Sequence, residues 1–154
     1  MAHITHLLYL RAKDADDAVV RAEREIDAWL ERTGSPADYA DVDGVYDATG
    51  DLVLDPGGAP TYASLVAELR ENLRESLAGS LDPVPDGDDY MRDTAREALE
   101  QLSGPDDFDP ATHSLRVDDW HRPGVSYTDR NLREAKGKEW PAFIVLLNVH
   151  TPWG

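Results

Sequence analysis

The sequence contains no cysteine, which excludes disulfides, thiol nucleophiles and thiolate metal sites. Long apolar runs are also missing: the longest, residues 142–147, is far below the roughly 20 residues of a membrane helix. The first residues lack the basic region and apolar core of a signal peptide. We therefore expect a soluble protein without membrane contact, located in the cytoplasm or in a virion.

Basic side chains are scarce, and lysine is the scarcest. The 154 residues include 31 acidic and 15 basic side chains, for a formal charge of -16, and only 3 of the basic residues are lysine. Repulsion among so many negative side chains destabilises a compact chain in dilute salt and is largely screened in molar salt. The composition favours a halophilic protein, with the codon bias of a GC-rich genome as the alternative explanation.

The length fits a single domain over residues 1–154. Apolar periodicity predicts a first strand over residues 4–10, then a helix capped by Asp14 and ended by Gly34. A hairpin is predicted around residues 44–54, and a second helix begins after Thr61 and ends at Gly79.

The second half of the chain predicts a third helix over about residues 89–102, a strand over 112–120, and a loop with a short helix over 122–138. Residues 142–150 form a final strand that is apolar on both faces, which indicates a central strand covered on both sides or an interface strand. The order predicts an α+β domain with a mixed or antiparallel sheet and helices mainly on one face, a ferredoxin-like variant.

Histidine is the best remaining candidate for a metal ligand. His6 and His150 lie on the first and last strands, so they meet if those strands are neighbours, and Asp43 supplies a carboxylate from a nearby loop. This set predicts a metal-dependent hydrolase or nuclease; structural, hydrogen-bonded histidines are the alternative. Otherwise we predict no cofactor, except for a structural cation at an Asp-rich loop such as residues 82–93, an imperfect EF-hand match.

Residues 116–138, here called the basic segment, reverse the charge of the chain. They carry 6 basic and 4 acidic side chains, whereas residues 1–115 carry 9 basic and 26 acidic ones. Arginine forks beside aromatic rings bind phosphates and other anions. The candidate ligand-binding residues are Arg116, Trp120, Arg122, Tyr127, Arg130 and Arg133. Pairing of these cations with the acidic remainder or with another subunit is the alternative.

No catalytic motif is evident, since phosphate-binding and dinucleotide-binding fingerprints are both missing. The leading hypothesis is a non-enzymatic, salt-adapted protein that binds a protein partner or associates with itself, with Trp140 and Trp153 as anchors. A small anionic-ligand-binding protein is a further alternative. The net negative charge disfavours non-specific nucleic-acid binding.

Three stretches carry a resemblance: residues 7–29, the segment Tyr39-Ala40-Asp41-Val42-Asp43-Gly44-Val45-Tyr46, and the ending Asn148-Val149-His150. They resemble small uncharacterised proteins of tailed phages and haloarchaeal viruses. Those proteins have a second glycine and Arg-Trp where this chain has Val45 and Tyr46, and an aspartate at the place of Asn148. The resemblance implies a viral or proviral origin and supplies no activity.

Overall fold

A computed structural model describes residues 2–33, 39–79, 114–118, 123–126 and 140–151. Three predicted features lie wholly or largely outside these residues, namely the helix over about 89–102, the Asp-rich loop over 82–93 and the short helix within residues 122–138. None of the described helices is both long and apolar enough to cross a membrane.

Two helices begin where the sequence predicts them. Helix α1 spans Ala15–Thr33, and the Asp14 carboxylate accepts a hydrogen bond from the backbone N–H of Asp17 at 2.8 Å. Helix α2 spans Tyr62–Gly79, and the Thr61 hydroxyl accepts one from the N–H of Ser64 at 3.3 Å. Both N-caps are confirmed, because each side-chain oxygen accepts a bond from an amide that the helix itself leaves unpaired.

Six strands form a single sheet in the order β3-β2-β6-β1-β4-β5. Every pairing in it is antiparallel. The strands are β1 (Ala2–Arg11), β2 (Tyr39–Tyr46), β3 (Leu52–Leu54), β4 (Ser114–Asp118), β5 (Pro123–Ser126) and β6 (Ala142–Thr151). The predicted α+β class with an antiparallel sheet is confirmed. The first six described elements follow the β-α-β-β-α-β order of ferredoxin-like folds, and β6 lies between β2 and β1.

Strand β6 is the centre of the core. Its residues alternate between two apolar clusters: Leu146 packs in the cluster that contains Leu65 of α2, and Leu147 packs in the cluster that contains Ile26 of α1. The two helices therefore cover opposite faces of the sheet, whereas the sequence suggested that they lie mainly on one. A strand that is apolar on both sides needs cover on both, so β6 is a central strand.

Strand β5 lies in a stretch that the sequence predicted to be a loop. It begins at Pro123 and pairs with β4 at the outer edge of the described sheet. Proline at the first position of an edge strand removes no ladder hydrogen bond that the sheet needs. The loop prediction was wrong because proline and glycine, which usually indicate a loop, are tolerated in a strand at the edge of a sheet.

Candidate functional site

The two outer strands of the described sheet belong to oppositely charged parts of the chain. Strand β3 lies within residues 41–55, here called the acidic segment, and its neighbour β2 overlaps the start of that segment, which contains five aspartates and no lysine or arginine. At the other edge, β5 lies within the basic segment and β4 overlaps its start. In the described sheet, β6 and β1 lie between these two pairs of strands.

The turn of the β2–β3 hairpin is fixed by its own hydrogen bonds. One carboxylate oxygen of Asp47 accepts bonds from the Thr49 N–H at 2.8 Å, the Thr49 hydroxyl at 2.6 Å and the Asp51 N–H at 3.0 Å. Burial alone would raise the pKa of Asp47, but these bonds lower it below its ordinary value. Gly50 has a φ of 85°, a backbone conformation that residues with a Cβ atom rarely adopt. The acidic hairpin is therefore a preformed feature.

Asp43 lies beside the loop that follows β3. Its backbone carbonyl accepts a hydrogen bond from the Gly57 N–H at 3.1 Å, and its side chain is half-buried. Burial raises the pKa of Asp43, and the neighbouring charge of Asp41 raises it further. Ionising this carboxylate therefore costs more free energy than ionising an exposed aspartate. Its charge at neutral pH destabilises the β2–β3 edge of the sheet, here called the acidic edge.

Tyr46 ties the acidic segment to the start of α2. Its hydroxyl donates to the Pro60 carbonyl at 2.7 Å, and its ring lies 5.3 Å from that of Tyr62, centroid to centroid. Burial, assisted by Asp55 and Asp43, raises the pKa of Tyr46 to about 12, so the hydroxyl stays protonated. The contact anchors the edge of the sheet against the helix.

Val53 places an apolar side chain on the acidic edge. It lies in the middle of β3 and is 41% exposed, while its neighbours Leu52 and Leu54 are half-buried. Among the described residues, the only other large apolar side chain that is exposed is Val20 on α1. An outer strand with an exposed valine offers both backbone groups and apolar surface for pairing.

Of the candidate ligand-binding residues, only Arg116 lies on a described element. It occupies a β4 position whose partners are His6 on β1 and Gly124 on β5. The other five lie outside the described residues: Trp120, Arg122, Tyr127, Arg130 and Arg133. The structure therefore places the start of the basic segment at one edge of the sheet.

The predicted metal ligands do not come together as expected. His6 pairs with Leu147, on the α1 face, whereas His150 pairs with His3, on the α2 face. Strands β1 and β6 are neighbours as the prediction required, but the register puts the two histidines on opposite faces. In the part of the chain that the structure describes, no three His, Asp or Glu side chains are grouped to hold a metal ion.

Trp140, one of the two predicted interface anchors, packs against its own chain. The Arg21 guanidinium lies 4.5 Å from the centroid of its ring, and Arg11 donates to its carbonyl at 2.9 Å. Arg21 is itself held by Asp17 through a 2.9 Å ion pair. Trp153 lies outside the described residues. The half-buried Trp140 thus joins α1 to the start of β6.

Sequence reasoning did not single out Val53 and Asp51 at the acidic edge, or His3 as the partner of His150. The hairpin signal around Gly50 located β3, but only the strand order identifies β3 as an outer strand. No protein-family model, curated protein or solved structure matches this chain.

Proposed function

We propose that this chain is a non-enzymatic, salt-adapted assembly protein of a halophilic archaeon or its virus, acting in the cytoplasm or in a virion. In the assembly, the β4–β5 edge of one copy binds the β2–β3 edge of the next. The observation that supports the proposal is that the two outer strands belong to oppositely charged segments of the chain. Strand β5 lies within the basic segment, which has 6 basic and 4 acidic side chains, and β3 lies within the acidic segment, which has five aspartates and no lysine or arginine.

Backbone pairing gives such an interface its geometry. The outer side of an edge strand presents N–H and C=O groups that a strand of another molecule can extend, as in β-strand addition. Two acidic edges repel each other, and so do two basic edges, which suppresses symmetric pairing of like edges. Pairing of unlike edges is head-to-tail, and such contacts produce rings or open filaments.

The acidic edge is suited to binding without rearrangement. Its turn is held by the Asp47 hydrogen bonds, and Val53 adds apolar area that strand pairing would bury. A surface that is already ordered loses little conformational entropy on binding. An ordered edge of this kind favours a role in binding over a role in solubility alone.

The salt concentration determines how much electrostatic attraction contributes to such an interface. At about 1 M salt the screening length is about 3 Å, so long-range attraction between the edges is lost and only charge pairs in direct contact contribute. Strand hydrogen bonds and burial of Val53 are far less sensitive to salt. We expect association to weaken between dilute and molar KCl and to persist in molar KCl.

Sedimentation velocity of charge variants tests the proposal. Arg130→Glu with Arg133→Glu reverses two charges of the basic segment, and Asp51→Lys with Val53→Lys reverses one charge and introduces a second cation at the acidic edge. Each pair should convert a concentration-dependent oligomer into a monomer. The matched control is Asp16→Lys with Val20→Lys, which makes the same changes on the exposed side of α1 and should associate as wild type does.

Two results would overturn the proposal. One is a wild-type protein that stays monomeric at every concentration in molar KCl. The other is wild-type association in either edge variant, which would put the interface elsewhere. Loss of inorganic phosphate binding in the Arg130→Glu, Arg133→Glu variant, with its association unchanged, would instead assign the basic segment to a small anionic ligand.

A further inference from the structure

The strands of the described sheet alternate in direction from one edge to the other. Their order is β3-β2-β6-β1-β4-β5, and each strand is antiparallel to its neighbours. Because the sheet has six strands, an even number, the outer strands β3 and β5 run in opposite directions. A second copy in the same orientation therefore places its β3 antiparallel to the β5 of the first copy.

We propose that copies join in this same orientation and form an open filament with one continuous antiparallel sheet. The filament rests on the proposed function, which supplies the two edges and a second copy of the chain as the partner. Antiparallel pairs are slightly more stable per residue than parallel pairs. The opposite orientation would make the β5–β3 pair parallel, and it would put α1 of one copy on the same side of the sheet as α2 of the next.

The two outer strands are similar in length. Strand β3 has 3 residues and β5 has 4, so neither strand extends far beyond the other when they pair. Proline has no N–H, so the donors of β5 come from the residues after Pro123. Such a short pair forms only a few backbone hydrogen bonds, and we therefore expect the filament to lengthen and shorten reversibly with protein concentration.

Helices on both faces of the sheet favour an open filament over a closed ring. Because α1 and α2 cover opposite faces, bending the joined sheets into a barrel would crowd one helix of every copy inside it. Without closure, strands spaced about 4.8 Å apart give a rise of about 29 Å for each copy of six strands. The α1 helices of successive copies do not collide at that spacing, since a helix is about 10–12 Å wide.

Introduced cysteines test the orientation, because the chain has none of its own. Asp51 and Asp55 are exposed residues that flank β3 on either side. An antiparallel pair brings Asp51 close to Ser126 at the end of β5, whereas a parallel pair brings Asp55 there. Mixing Asp51→Cys with Ser126→Cys in molar KCl under oxidation should give a mixed disulfide dimer, identified by isotope labelling of one variant. Asp55→Cys mixed with Ser126→Cys is the matched control, which also removes one aspartate and should give no mixed dimer.

Electron microscopy of wild type in molar KCl tests the form of the assembly. The expected result is a filament with an axial rise of about 29 Å per copy, together with the cross-link between positions 51 and 126. Closed rings, or a cross-link from Asp55→Cys in place of Asp51→Cys, would overturn the continuous filament and leave edge-to-edge assembly standing. A wild-type protein that stays monomeric would overturn both.

Discussion

At the scale of single residues, the most informative group is the half-buried carboxylate of Asp43. Burial raises its pKa first, and the charge of Asp41 adds to that. A carboxyl whose pKa is higher in the folded chain than in the unfolded chain stabilises the fold below the unfolded value. That contribution is lost as the pH rises through the folded value.

We therefore predict that Asp43→Asn raises the midpoint of thermal unfolding at pH 7 and leaves it nearly unchanged at pH 3. The gain should persist in molar KCl, because salt screens the repulsion from Asp41 but not the cost of burial. Calorimetry at the two pH values measures it, with Asp27→Asn on the exposed side of α1 as the control. An equal or lower midpoint at pH 7 would show that Asp43 is stabilised as an anion.

Histidine shows where residue-level prediction stops. The sequence identified strand positions for His6 and His150, and β1 and β6 are indeed neighbours. Alternation within a strand is a local property, whereas which residues of two strands face each other depends on a register set by the rest of the sheet. The shift from His6 to His3 as the partner of His150 is a consequence of that register.

At the scale of elements, local signals located the helices well. Asp14 and Thr61 begin α1 and α2 because their side-chain oxygens accept bonds from free helix amides, and the sequence alone displays that chemistry. The sequence did not predict that the two helices lie on opposite faces of the sheet, although the apolar pattern of β6 indicated that both of its faces are covered. Strand β5 was missed because Pro123 and Gly124 indicate a loop unless the strand is known to be at an edge.

The close approach of β2 to the loop before α2 gives a prediction at this scale. A Cβ atom on Gly44 would lie 2.6 Å from the Ala59 Cβ and 3.0 Å from a Leu52 methyl group. Leucine can move, but alanine has no flexible end. We expect Gly44→Ala to lower the free energy of unfolding by about 1–3 kcal/mol, the usual cost of overpacking.

Ala59→Gly removes the obstructing methyl group and should restore most of that loss in the double variant. Urea unfolding of the two single variants and the double variant gives the coupling directly. Additive effects of the two substitutions would mean that Gly44 is required for another reason than this contact.

At the scale of the whole molecule, the formal charge of -16 makes stability a function of salt. We predict that the unfolding midpoint rises steeply from dilute to molar KCl, because screening removes repulsion among the acidic side chains. Thermal unfolding across a KCl series measures it. The same series for Asp16→Asn with Asp27→Asn, the two exposed aspartates of α1, should be flatter, and a flat wild-type response would favour genome composition as the origin of the acidity.

The charge is also unevenly distributed along the chain, and this uneven distribution is the basis of the proposed assembly. Strand β3 of the acidic segment and strand β5 of the basic segment lie at opposite edges of the described sheet, separated by the central strands. The sequence alone displayed the basic segment. The strand order was needed to see that its counterpart lies at the opposite edge, because Leu54 at the end of β3 and Arg116 at the start of the basic segment are far apart in the sequence.

The most direct test of the assembly is to mix the two edge variants. The Arg130→Glu, Arg133→Glu variant keeps an intact acidic edge, and the Asp51→Lys, Val53→Lys variant keeps an intact basic edge. Sedimentation velocity in molar KCl should show each variant as a monomer alone and an equimolar complex after mixing. A mixture that remains monomeric, while wild type associates under the same conditions, would contradict edge-to-edge assembly.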